Sequence, residues 1–216
     1  MKMNNHIPLL KKVFSFLLIA SLFLFFSCGS DDDDVIAPKP RTYFRLTFPK
    51  KEYVAYSGDC PFTCEIPAYS KMTIDIDRNA EPCWLNLQFP YFHGTLHLSY
   101  KPVNGNIDGY LEQTYTMAAK HQIKASGIEE QLISKDSKHV HGLLYNIEGN
   151  AASSIQFFLT DSTKHFLRGA LYFYAVPNTD SIKPVVDFIE KDIQHLIETF
   201  QWKDQAMPAA SAKALK

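Results

Sequence analysis

Several things are scarce or missing in this chain. Beyond Phe26 no apolar run approaches the roughly 20 residues of a bilayer-spanning helix, so no membrane-spanning helix is expected there. The whole chain carries a formal net charge of -1, and acidic and basic residues are interspersed after Asp34. There is no basic stripe for a phosphate backbone to follow, so no nucleic-acid ligand is expected. GxSxG, HExxH and a glycine-rich strand-to-helix loop are all missing, which removes the signatures of the commonest hydrolases, zinc peptidases and phosphate loops. No internal repeat and no composition break follows Arg41, which argues against a solenoid or a second domain.

What is present begins with Lys2, Lys11 and Lys12 ahead of the apolar run Val13 to Phe26. A basic flank, a short apolar core and small residues read as a secretory signal peptide over residues 1–27. Ser27 and Cys28 resemble the end of a lipobox, with Phe25 where the common form has leucine, so Cys28 is the expected lipidation site. Acyl chains there would bury methylenes at about 0.8 kcal/mol each and serve as the membrane attachment. "GSDDDD" and "VIAPKPR" then form an acidic, proline-containing linker over residues 28–41. The acidic run also resembles tracts that route lipoproteins to the outer face of an outer membrane.

Cys60, Cys64 and Cys83 remain, an odd number for an oxidising compartment, and imply one bridge and one free thiol. A Cys60–Cys64 bridge would close a very short loop through Pro61. Pairing either of them with Cys83 would staple the N-terminal segment to the first hairpin; Cys60–Cys83 is preferred, with the alternatives open. "CPFTC" lacks the further ligands of a zinc site, and no metal or other cofactor is expected.

The body from residue 42 to 203 reads as one α+β domain, a mainly antiparallel sheet covered by helices. "TYFRLTFP" and "PFTCEIP" read as extended segments, and "KMTIDID" alternates Met72, Ile74 and Ile76 against polar neighbours. "CWLNLQFP" and "GTLHLSY" form a hairpin around "PYFHG". "IDGYLEQTYTMAAKHQIKA" sets Ile107, Leu111, Tyr115 and Ala118 at helical spacing, with Asn106 or Asp108 as the cap. Four strands joined by short polar turns follow. A terminal amphipathic helix then carries Val185, Ile189, Ile193, Leu196 and Phe200 on one stripe, with Pro184 in its first turn. Residues 204–216 show no periodicity and are expected to be a disordered tail.

Two constellations invite a chemical reading. His139 and His141 in "KHVHG" would share one strand face, yet no third ligand stands at a defined spacing. "TDSTKHF" holds Asp161, Ser162, Lys164 and His165, every residue type of a hydrolase triad or a Ser/Lys dyad. Side chains of one tight turn do not converge as a nucleophile and its base must, so turn chemistry is the expectation and no catalytic residue is assigned. Arg168, in the following strand, should be partly buried and need a partner, for which Glu148 is the candidate.

The run "YNIEGNAASSIQFFLTDSTKHFLRGALYFYAVPNTDSIKPVVDFIEKDIQHLIETFQW", with "CPFTCEIP", "CWLNLQFP" and "LHLSYKPV" upstream, resembles the GldD-type gliding motility lipoproteins over nearly the whole folded region. The resemblance implies a non-catalytic, lipid-anchored envelope protein associated with the outer membrane. Its implied partners are other components of the gliding and type IX secretion apparatus. It favours a Cys60–Cys83 bridge with Cys64 as the spare thiol. The order of strands and terminal helix is also similar to the PsbP/Mog1 kind of α/β/α sandwich. A lipid-anchored enzyme or small-ligand-binding module is the alternative function class.

Overall fold

The computed structural model describes residues 46–174 and 179–203. The expected signal peptide, Cys28, the 28–41 linker and the 204–216 tail lie outside the described residues. Among the described residues ten strands and two α-helices run in the order β1 (Tyr53–Tyr56), β2 (Phe62–Pro67), β3 (Lys71–Ile74), β4 (Trp84–Phe89), β5 (Gly94–Pro102), α1 (Ile107–Ala119), β6 (Ala125–Lys135), β7 (Val140–Gly149), β8 (Ser153–Thr160), β9 (His165–Phe173), α2 (Thr179–Thr199) and β10 (Gln201–Trp202).

The main sheet has the order β3-β4-β5-β9-β8-β7-β6, and a small one the order β1-β2-β10. All strand pairings are antiparallel. Short turns make each neighbour antiparallel, while α1 carries the chain from β5 to the far edge, from which β6 to β9 return strand by strand to β5. The architecture is α+β, with a helix on each face of the main sheet.

One face carries Leu87, Leu96, Leu98, Phe157, Leu159 and Leu167 against Ile189, Ile193, Leu196 and Phe200 of α2 and Phe62 of β2. These side chains are within a few percent of full burial, and at about 25 cal/mol per Å² such packing is the main favourable term in folding. The opposite face carries Tyr145, Ile147, Phe158 and Phe166, which pack with Ala118, Ile107 and Leu111 of α1.

Three local expectations change. Tyr115 is 60% exposed and Thr114 takes the inward position, because α1 presents residues 107, 111, 114 and 118 to the sheet. Ile74 and Ile76 are 74% and 94% exposed, because β3 is an edge strand that ends at Ile74. Pro184 lies inside α2 rather than in its first turn, since the helix already starts at Thr179.

The hairpins β4–β5 and β6–β7 use one device. Each closes through a single 3₁₀ turn, Pro90–Phe92 or Asp136–Lys138, followed by a histidine in the left-handed region, His93 at φ 50° or His139 at φ 51°. His139 therefore belongs to a turn and only His141 to a strand, so the two do not share a strand face.

Candidate functional site

The turn after β8 is built by Asp161 and Thr160. Asp161 Oδ1 accepts from the amides of Thr163, Lys164 and His165 at 3.0, 2.8 and 2.8 Å. Thr160 Oγ1 donates to the His165 carbonyl at 2.7 Å and accepts from the Ser162 amide at 2.9 Å. Ser162 takes φ 65° to close the turn. Burial opposes the charge on Asp161, but the amides and nearby His165 outweigh it and hold the carboxyl below its ordinary value. The acid of the apparent triad is thus occupied by backbone. His165 turns the other way, with Nδ1 2.8 Å from the hydroxyl of Tyr100. Burial, then the charge of Asp161, pushes the Tyr100 phenol up to about 12, so it stays protonated at neutral pH.

This turn forms one wall of a cleft of about 890 Å³ at the end of the sheet. Tyr100 and Val103 come from the end of β5, His139 from the β6–β7 turn, Lys164 and His165 from the β8–β9 turn, and Trp202 from β10. Three contacts hold these segments together. The Val103 amide donates to Lys164 O at 2.8 Å, Trp202 Nε1 donates to His139 O at 3.1 Å, and His165 stacks on Trp202 with ring centroids 5.0 Å apart. Aromatic residues together with Lys138 and Lys164 line this cleft. The sequence placed the turn but missed the cleft, because Trp202 reaches it only through the pairing of β10 with β2.

Cys60 and Cys83 are joined in a disulfide with Cα atoms 5.5 Å apart, and Cys64 is free and buried. Burial, with Glu65 adding to it, pushes the Cys64 thiol up to about 12. The bridge links the segment before β2, in the small sheet, to the segment before β4, in the large one.

The expected Arg168–Glu148 pair does not form. Arg168 shares a row with Phe158 and Leu143 across β9, β8 and β7, and Glu148 is five residues along β7 from that row. An odd offset along a strand puts Glu148 on the opposite face of the sheet. Arg168 Nη2 instead donates to Gln156 Oε1 at 2.8 Å.

A second polar cluster escaped the sequence reading. Asp192, 1% exposed on α2, accepts from Lys51 Nζ at 2.6 Å, from the Tyr53 hydroxyl at 2.9 Å and from the Tyr69 hydroxyl. Burial, then the bond to Asp192, pushes Tyr53 up to about 12 and Tyr69 further in the same direction. The readable signal was an acid three residues after Ile189 on the apolar stripe. His195 on the same helix meets Glu65 at 2.6 Å and stacks on Tyr53 at 3.6 Å.

Among the described residues no group of three or more His, Cys, Asp or Glu is placed to hold a metal ion. None of their helices is long and apolar enough to cross a membrane. By fold and cleft the chain is an α+β protein with a wide, aromatic and basic recess at one end of an antiparallel sheet. It belongs to the gliding motility lipoprotein GldD family, whose model matches residues 33–202. No curated protein matches the chain. The solution structure of cyanobacterial PsbP (CyanoP) from Synechocystis sp. PCC 6803 is similar at 10% sequence identity and a TM-score of 0.46, over 74% of this chain and 97% of that one.

Proposed function

We propose that the chain is a non-catalytic assembly component of the gliding and type IX secretion apparatus, held at the outer membrane by lipid on Cys28. In this reading residues 1–27 are removed on export, and residues 28–41 space the folded domain from the membrane. The cleft beside His165 and Trp202 then takes another envelope protein. Membership of the gliding motility lipoprotein family over residues 33–202 carries the reading. The engagement of Asp161 by three backbone amides supports its non-catalytic part, because the acid has no free role next to Ser162 or Lys164.

The test is complementation of a gliding cell that lacks the gene. Cys28→Ser should abolish spreading while the protein still accumulates. Ser162→Gly should glide normally, since glycine keeps the left-handed turn and the one hydroxyl nucleophile of the turn's Ser-containing constellation is gone. Trp202→Ala should lose spreading and lose co-purifying envelope proteins together. Loss of gliding in the Ser162→Gly variant, with folding and partner capture unchanged, would sink the assembly reading in favour of chemistry in the turn.

A further inference from the structure

Arg168 is the one charged side chain on the α1 face of β9, and its surroundings leave it short of both charge and acceptors. It faces Ser99 on β5 and Phe158 on β8 across the strand pairs, with Gln156 two residues from Phe158 and Tyr172 four residues further along β9 on the same face. No ion pair joins it to a carboxylate among the described residues. Burial holds the guanidinium below its ordinary value, and only Tyr172 favours its charged form. His121, after α1, is lowered by burial and by the charge of Arg168 itself.

The hydrogen-bond inventory is equally incomplete. Arg168 Nη2 donates to Gln156 Oε1, which fixes the amide orientation and leaves Gln156 Nε2 as a donor still to be satisfied. Arg168 Nε and Gln156 Nε2 are both buried and have no partner, and Gln156 is 0% exposed. Both orphans are donors. Buried polar groups are ordinarily satisfied, and each such exception calls for a physical explanation. A water molecule could accept from both, yet would leave the partly buried guanidinium without a counter-charge. An anion supplies the two acceptor directions and the missing charge together.

We propose that Arg168, Gln156 and Tyr172 form a binding site for a small monovalent anion, of halide or carboxylate size, on the α1 face of the main sheet. Both orphan donors are buried, which favours a ligand of a few atoms. The site lies on the opposite sheet face from the α2 core and is independent of the cleft beside Trp202.

Bromide is the probe. The full chain, purified in mild detergent, is held at fixed ionic strength with a bulky sulfonate and titrated with sodium bromide, then with sodium acetate. The thermal midpoint should rise saturably, by about 5 °C at a hundredfold excess over Kd. Which salt gives the larger rise distinguishes a halide from a carboxylate ligand. Crystals grown in bromide should show an anomalous peak within hydrogen-bond distance of Arg168 Nε and Gln156 Nε2. In Gln156→Glu the new carboxylate neutralises the guanidinium from within, so the variant should fold and lose the salt dependence. Arg168→Met should lose it too. A midpoint indifferent to both anions in the parent chain, with only an ordered water beside Arg168, would overturn the proposal.

Discussion

Asp161 was readable as a turn residue because its neighbours Ser162 and Thr163 are turn formers between two apolar runs, and the structure adds that one carboxylate oxygen takes three amides. Asp161→Ala should cost about 1–2 kcal/mol, the usual range for losing such a cap. Asp161→Asn keeps an acceptor and should cost less. The sign with pH follows from a depressed native value. The charge contributes fully above the unfolded carboxyl pKa, about 4, and its contribution is lost as pH falls through the lower folded value. Urea midpoints of the parent and Asp161→Asn should therefore differ at pH 7 and converge in acid. A gap that stays constant down to pH 2.5 would show that the carboxylate charge has no part. Arg168 was legible only as a residue in need of a partner. Its actual neighbour, Gln156, is uncharged and was chosen by strand register, a property that no local pattern announces.

At the scale of elements, alternation was a reliable guide wherever a strand is flanked on both sides. The β4–β5 hairpin, the strands β7 to β9 and the α2 stripe all follow their apolar spacing. It failed at β3, where the Ile74 and Ile76 pattern runs past the end of an edge strand, and at Tyr115, where a helical stripe one residue out of phase looks equally apolar. The close approach of β7 to β8 could not be read at all. A Cβ added at Gly142 would stand 1.8 Å from the Phe158 carbonyl oxygen, which is backbone in the adjacent central strand. Gly142→Ala must push the two strands apart and should destabilise by about 3 kcal/mol or more, at the severe end of single substitutions. Chemical denaturation checks this, and a loss under about 1 kcal/mol would mean that β7 yields easily there.

For the molecule as a whole, the disulfide and the Asp192 cluster do related work. Cys60–Cys83 joins the two sheets across 23 residues, and Asp192 ties Lys51, Tyr53 and Tyr69 to α2. Closing a loop of that length restricts the unfolded chain by about 3 kcal/mol, so Cys60→Ser with Cys83→Ser should lower stability by that amount while leaving the fold intact. Cys64, buried and with its thiol pushed up to about 12, should resist a thiol reagent at pH 8 in the native protein and react once it is denatured. Prompt labelling of native protein would place Cys64 at the surface and contradict its burial.

The sequence by itself determined the α+β class, the main strands and the terminal helix, because apolar periodicity reports how many faces of an element are covered. It also carried the family resemblance, through long ordered segments that survive without knowledge of any contact. Only the tertiary structure decided which residues meet. Strand register set Arg168 beside Gln156 and put Glu148 on the other face. The pairing of β10 with β2 brought Trp202 to His165 and His139. Such meetings join residues far apart in the chain, and a one-residue change of register would undo them while leaving every local pattern nearly as it was.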